Sequence, residues 1–401
     1  MQMFTGREYL KIDIANNFGH DKLTWQQRIN WFDANEKQMF SLVPQAEEPA
    51  LFYAGVKAYQ DVLAGLPIGY MISLDATSSG LQLLACLTGD SFAAQLCNVV
   101  ETGNREDAYT FIYTQILNRI GDSSKISRAD TKQAIMTAFY NSKAVPKKIF
   151  GEGALLDVFY ETLKELAPGA WELNEAMLSF WDPNAFEHSW VLPDNFHVHV
   201  KVMSQVRETV HFANEPFDVF YNINFPIQNG RSLGANTVHS IDGMIVRELT
   251  RRCDYKPRRI QQVRSILDGL PERWKAESIS KADEMVQILW GHYQDSGYLS
   301  ARILDYLNYG NMGHVDPVAI RELVDSLPEK PFKLVSIHDC FRCLPHYGND
   351  MRWQYTNQLR LISKSNLLQY TISQLVGGLV PIGKLDPDLH LHVAQSNYAL
   401  S

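Results

Sequence analysis

Tyr70-Met71-Ile72-Ser73-Leu74-Asp75-Ala76-Thr77-Ser78-Ser79-Gly80-Leu81-Gln82 reads as a strand, a turn and the opening of a helix. The apolar run has strand length, small hydroxylated residues and Gly80 turn the chain, and Leu81 to Leu87 continues as helix, ending near Thr88-Gly89-Asp90. Asp75 is thereby placed at the end of a buried strand. A lone Asp there is ordinarily a turn or cap residue. A second segment changes its meaning: Lys333-Leu334-Val335-Ser336-Ile337-His338-Asp339-Cys340-Phe341 reads as another apolar strand delivering a carboxylate. Two carboxylates held close together repel unless a cation lies between them, and Mg²⁺ favours oxygen ligands, completing its shell with waters and phosphates.

The third piece lies in the run Ser127 to Ser142. Read as one helix from Arg128 to Tyr140, it sets Arg128 and Lys132 one turn apart, with Tyr140 two further turns along the same side. Basic residues on a helix often mark only a solvated face. Beside two metal-binding carboxylates they offer a polyphosphate clamp and a stacking platform. Ile135, Met136 and Phe139 are expected in the core of that helix.

In this order the segments resemble the single-subunit RNA polymerases of the phage and mitochondrial type. Asp75 to Gln82 is similar to the family's motif A (Asp-Gly-Ser-x-Ser-Gly-x-Gln), with Ala76 for Gly and Thr77 for Ser; Arg128, Lys132 and Tyr140 match motif B, and His338-Asp339 matches motif C. Leu10-Lys11-Ile12, Gly19-x-Asp21-Lys22, Trp190-Val191-x-Pro193-Asp194, Val238-His239-Ser240-x-Asp242-Gly243 and the tail Asn397 to Ser401 look like further family segments. The resemblance implies a mostly helical α/β (α+β) fold, a right-hand polymerase palm and fingers without the family's N-terminal promoter domain and thumb. Its expected divisions are palm with motif A at 1–91, fingers with the motif B helix at 92–230, palm at 231–250, a helical insertion at 251–330, and palm with motif C and a C-terminal foot at 331–401.

The same resemblance implies template-directed RNA synthesis: attack of an RNA 3′-hydroxyl on the α-phosphate of a ribonucleoside triphosphate, with loss of pyrophosphate. Asp75, Asp339 and the Ala76 carbonyl are the implied ligands of two Mg²⁺ ions. Arg128 and Lys132 take the triphosphate, Lys132 serves the leaving group, Lys11 is a weaker phosphate candidate, and Tyr140 stacks on the nascent base pair. In related DNA polymerases a Glu fills the position of Gly80 and excludes a 2′-hydroxyl; Gly80 leaves that space open, and Tyr140 and His239 supply polar contacts to the ribose. Asn141 stands where the family has Gly and is expected to keep a positive φ. The implied partners are DNA template, RNA product and a smaller protein subunit that would make this chain the larger part of a heterodimer. A family A-like DNA polymerase is the nearest alternative, and a catalytically inactive nucleic-acid-binding subunit on the same scaffold is the other.

Bulk properties fit this reading. The 401 residues, 45% of them hydrophobic, suffice for two or three cored units. No apolar run reaches membrane-spanning length, and Met1 to Thr5 has no signal-peptide pattern, so a cytoplasmic location, that of the host if the chain is phage-encoded, is expected without membrane contact. Five cysteines without an export signal imply reduced thiols. Formal charge is −8, which by itself gives no sign of nucleic-acid binding; the local cluster Lys125, Arg128, Lys132, Lys143, Lys147 and Lys148, opposed only by Asp130, does. The stretch 251–330 begins with Arg251, Arg252, Lys256, Arg258, Arg259 and Arg264 and is expected to be a solvated helical insert or a partner-docking surface, in preference to a nucleic-acid contact. Residues 92–230 are expected to be helical apart from one alternating strand at His197 to Val202.

Overall fold

The computed structural model describes residues 1–121, 126–269 and 281–401; Lys125 of the basic cluster and residues 270–280 of the charged stretch lie outside them. Seven strands occur among the described residues: β1 (Ile72–Asp75), β2 (Glu187–Val191), β3 (His197–Lys201), β4 (Met203–Phe212), β5 (Glu215–Asn224), β6 (Val335–Ile337) and β7 (Cys340–Cys343). They form one three-stranded antiparallel sheet in the order β1-β7-β6 and two separate hairpins, β2-β3 and β4-β5. Helices make up most of the rest, and no helix of the described residues is long and apolar enough to cross a membrane.

The N-terminal helices are set by their caps. Thr5 and Thr24 each form a capping box, with Glu8 and Gln27 respectively, opening the helices Gly6–Ala15 and Trp25–Asn35. From the first of these Asp13 reaches the small sheet: fully buried, it accepts from Tyr70 Oη at 2.6 Å, the Ser73 amide at 2.7 Å and Asn17 Nδ2 at 3.1 Å. This fixes the start of β1 against the helix. Burial nevertheless pushes the Asp13 carboxyl up from 3.8 to about 6. A carboxyl whose folded pKa exceeds its unfolded value binds more protons when folded, so its ionised form destabilises the fold above about pH 6, and that cost is relieved as the pH falls toward 4. Wild type should therefore gain stability relative to Asp13→Asn between pH 7 and pH 4, by on the order of 3 kcal/mol. Urea unfolding of both proteins at the two pH values measures it, and a gap independent of pH would refute it.

After β1 the helix Ser79–Thr88 runs through the centre of the molecule, with every residue from Leu81 to Thr88 buried, and ends on Gly89 at φ +71°. The helix Gly348–Lys364 packs against it, Tyr355 Oη donating to Gln82 Oε1 at 2.7 Å. The motif C stretch differs from the single strand expected. It is the hairpin β6-β7: Ile337 pairs with Cys340, leaving only His338 and Asp339 to reverse the chain, and His338 takes φ +56° at the first turn position. The apolar residues that suggested a buried strand, Val335 and Ile337, are exposed on the sheet edge.

Residues 92–230 also depart from expectation. Helices fill the first part, but two hairpins follow. In β4-β5 the turn is Ala213-Asn214, both at positive φ, which closes a two-residue reversal. Ala carries no turn signal in sequence, and the strands' apolar side chains, Phe212 and Phe220 among them, are exposed on both faces instead of lining a core.

Beyond the 22-residue helix Ser232–Cys253 the chain builds a second hydrophobic core, with Ile260, Val263, Leu289, Leu304 and Ile320 at its centre. It then returns to its point of departure, where the Phe332 amide donates to the Cys253 carbonyl at 2.7 Å. Of the basic residues at the start of this stretch, Arg264 pairs with Asp325 and Arg259 donates to the Leu304 carbonyl. Arg251 and Arg252 belong to the last turn of the long helix. There Asp194, from the β2-β3 turn, binds Arg247 and Arg251, while buried Glu248 accepts from Arg251, Arg252, Ser300 Oγ and the Ala301 amide.

Candidate active site

Asp75 sits where three chain segments meet. On one side β1 pairs with β7 so that Asp75 faces Cys340, and the Ala76 amide donates to the Asp339 carbonyl at 3.1 Å. On the other, Asp75 exchanges both backbone hydrogen bonds with Ser401, at 2.9 and 3.2 Å, and Ala76 bridges Leu400. Gln82 ties the turn together: its fully buried amide donates to Thr77 Oγ1, the Cys97 carbonyl and the Ala399 carbonyl. The backbone at Asp75 is thus pinned from both flanks, and Asp339 is brought beside it at the hairpin turn. Burial within the cleft wall and then the charge of Asp339 push the Asp75 carboxyl up to about 6. Burial is the larger of the two causes, and the positive charge of Lys132 works against both.

Asp75, Ala76, Gly80, Arg128, Lys132, Tyr140 and Asp339 line one cavity of about 660 Å³. Arg128 and Lys132 project from the helix Arg128–Ala138, whose Ser127 cap accepts from the Asp130 amide. Lys132 Nζ lies 5.3 Å from the centre of the Tyr109 ring, and Tyr109 shares a 2.9 Å hydrogen bond with Ser78 in the motif A turn. Arg128 is held by Asp107 at 2.5 Å and by Thr110 at 2.6 Å.

Tyr140 is not on the helix, as its spacing suggested, but in the turn after it. The helix stops at Ala138, and Asn141 adopts φ +64°, the left-handed conformation expected of it. Asn141 Nδ2 donates to the Asn174 carbonyl while Asn174 Nδ2 donates to the Phe139 carbonyl, which locks the turn. The Tyr140 ring then lies against His239, centroids 4.9 Å apart. Its hydroxyl covers Gly80: a Cβ at that glycine would overlap Tyr140 Oη and come within 2.9 Å of Cζ. The space above Gly80 is therefore filled by the phenol rather than left open. Burial, followed by the charge of Asp242, raises the Tyr140 hydroxyl above the ordinary tyrosine range.

Two further sequence expectations need correction. Lys11 is not in the cavity; its ammonium binds Asp33 at 2.6 Å on the neighbouring helix and sits over Phe32. Met136, expected in the core, is 44% exposed and faces the cavity, while Ile135 and Phe139 are buried as expected. The sequence reading also passed over residues that the fold brings here. Arg105 lines the cavity with its Nε buried and without a hydrogen-bond partner. Asp242, one turn beyond His239 on the long helix, has its carboxyl pushed up to about 6 by burial and by Asp339. The i, i+3 spacing of His239 and Asp242 was the available signal for that pair.

With this geometry in hand, comparison with known proteins finds a match for the N-terminal part of the chain. Residues 4–152 match the DNA-dependent RNA polymerase family. That polymerase-like segment holds Asp75, Gly80, Arg128, Lys132 and Tyr140; Asp339 lies beyond it. A probable DNA-directed RNA polymerase of Neurospora crassa is 29% identical over 162 residues, covering 34% of this chain and 18% of the relative. The DNA-directed RNA polymerase of Pseudomonas phage phiKMV is 27% identical over 140 residues, 31% of this chain and 17% of the relative. A mitochondrial DNA-directed RNA polymerase of Neurospora crassa is 28% identical over 166 residues, 34% and 12% respectively. The aligned part of the chain spans under a fifth of each of these polymerases.

Proposed function

We propose that this chain carries the catalytic site of a phage-type DNA-directed RNA polymerase that extends RNA on a DNA template from ribonucleoside triphosphates. One observation supports the reading most: two carboxylates on the small sheet, Asp75 and Asp339, share a single cavity with the Arg128, Lys132 and Tyr140 wall. In this reading the elements of the sheet form the palm and the helices after residue 92 the fingers. The donor set suits Mg²⁺, because two carboxylates and a backbone carbonyl at Ala76 leave room in an octahedral shell for water and phosphate oxygens. When bound, paired Mg²⁺ ions would favour the attacking 3′-hydroxylate and offset charge on the departing pyrophosphate.

The chain's own groups do the remainder. Asp75 and Asp339 orient the metal-binding edge of the cavity. Arg128 grips terminal phosphate oxygens through its fork, and Lys132 Nζ neutralises charge near the α–β bridge and gives its proton to the leaving pyrophosphate. The Tyr140 ring stacks under the incoming base. The reading extends to a smaller protein partner, since a chain of net charge −8 gains little template affinity from its bulk field.

Magnesium-dependent primer extension with ribo- and deoxyribonucleotides tests the proposal; no extension with either would end it. The same assay tests sugar choice. With its hydroxyl set over Gly80, Tyr140 can reward a 2′-hydroxyl that Gly80 itself cannot touch. A net hydrogen bond contributes roughly 0.5–1.5 kcal/mol and an unpaired buried partner costs about 1–3 kcal/mol, which together allow on the order of tenfold to a hundredfold discrimination. Tyr140→Phe should therefore keep ribonucleotide incorporation within a few-fold while raising deoxyribonucleotide incorporation by about tenfold or more. Equal selectivity in the two proteins would make Tyr140 a stacking platform alone.

A further inference from the structure

Arg128 meets the cavity already engaged. Its Nε donates to Thr110 Oγ1 at 2.6 Å and its Nη2 to Asp107 Oδ2 at 2.5 Å. Both partners are themselves fixed. Asp107 is the N-cap of the helix Ala108–Ile120, its Oδ1 accepting from the Thr110 amide at 3.0 Å. Thr110 Oγ1 gives its hydrogen to Asp107 Oδ2 at 2.7 Å, which leaves its lone pairs for the arginine. The Nε–Nη2 edge of the guanidinium is thus occupied by the first turn of the neighbouring helix. The other edge, carrying Nη1, remains for the cavity that Arg128 lines.

A flexible arginine gains a fixed fork from this arrangement, and a planar fork recognises phosphate through two parallel bonds only when its plane is set. We infer that Asp107 and Thr110 are positioning residues: they preset Arg128 for the terminal phosphates of the incoming nucleoside triphosphate. This rests on the nucleotide reading of the cavity proposed above. The two contributions have opposite electrostatic consequences. Asp107 fixes the fork but also offsets part of the positive charge a phosphate would feel, whereas Thr110 fixes it without any charge.

Position and charge should therefore separate on mutation. Asp107→Asn keeps an N-cap side chain and Thr110→Val keeps the shape of an exposed residue, so neither need disturb the helix. The experiment uses the full chain and measures two quantities: the affinity for inorganic tripolyphosphate with Mg²⁺ and the maximal rate of single ribonucleotide addition to a primed template. Both variants are expected to bind tripolyphosphate within about twofold of wild type, Asp107→Asn somewhat more tightly, and to add nucleotide roughly tenfold to a hundredfold more slowly, since misalignment of a reacting group costs rate more than binding. Thr110→Ser, which restores the hydroxyl, should recover the rate. Wild-type rates in both variants, or losses of rate matched by equal losses of tripolyphosphate affinity, would overturn the inference. An Arg128→Ala control with unchanged tripolyphosphate affinity would overturn the nucleotide reading and this inference with it.

Discussion

Asp339→Asn is expected to abolish RNA extension while leaving template binding intact. Asp339 sits in a two-residue turn, where Asn is as well accommodated as Asp, and its structural contact, the carbonyl that accepts from the Ala76 amide, belongs to the backbone. The hairpin should therefore survive and only the charge be lost. A neutral amide is a poor replacement for an anionic Mg²⁺ ligand, and forfeiting several kcal/mol of transition-state stabilisation at about 1.4 kcal/mol per decade gives roughly a thousandfold loss or more. Asp75→Asn should match it. Primer extension and a gel-shift measurement on the same preparations separate activity from binding. Activity within tenfold of wild type in either variant would remove that carboxylate from the proposed metal site.

The second large effect is expected at Gly80. A Cβ there would overlap the Tyr140 hydroxyl, and the ring cannot easily retreat, because His239 lies against it and the Asn141–Asn174 pair locks its turn. Overpacking of this kind costs about 1–3 kcal/mol, so Gly80→Ala should lower kcat/KM for ribonucleotides roughly tenfold to a hundredfold. Removing the phenol oxygen relieves the worst overlap but not the 2.9 Å approach to Cζ, so Gly80→Ala with Tyr140→Phe should recover part of the loss and not all of it. Steady-state kinetics on one primed template read all three proteins. A single Gly80→Ala variant within twofold of wild type would show that Tyr140 does not need its place above residue 80.

The motif A turn was legible because each signal there was local: an apolar run, a carboxylate, small turn residues, then a helix closed by Gly89. The left-handed Asn141 was legible for the same reason, since one residue's own conformational tolerance decided it. What escaped was whatever depended on distant partners or ambiguous chemistry. Val335 and Ile337 are apolar yet lie on an exposed edge, so periodicity alone placed Asp339 in a strand and not in its turn. Ala213 disguised the β4-β5 reversal. Asp107 reads in sequence as an ordinary helix cap, and it is one; that the same carboxylate also holds Arg128 follows only from how two helices pack. Lys11 failed in the opposite sense, its helix facing Asp33 instead of the cavity.

The hydrogen bond between Cys253 and Phe332 has a consequence for how the intervening segment tolerates change. Because the chain departs and rejoins at a single point, added length within 254–331 need not move either neighbour, and loop-closure cost grows only slowly with length. Excision is a different matter. Glu248, Arg252 and Gln358, all essentially inaccessible to water, find partners at Ser300, Ala301, Leu299 and Tyr298. A short bridge from Cys253 to Phe332 would satisfy the geometry of the chain yet take from Gln358 its Tyr298 partner, at about 1–3 kcal/mol for an unpaired buried group, and leave Glu248 and Arg252 with the ion pairs of their own helix. The segment is thus elastic in size yet anchored to its neighbours by the buried polar contacts at Tyr298 to Ala301.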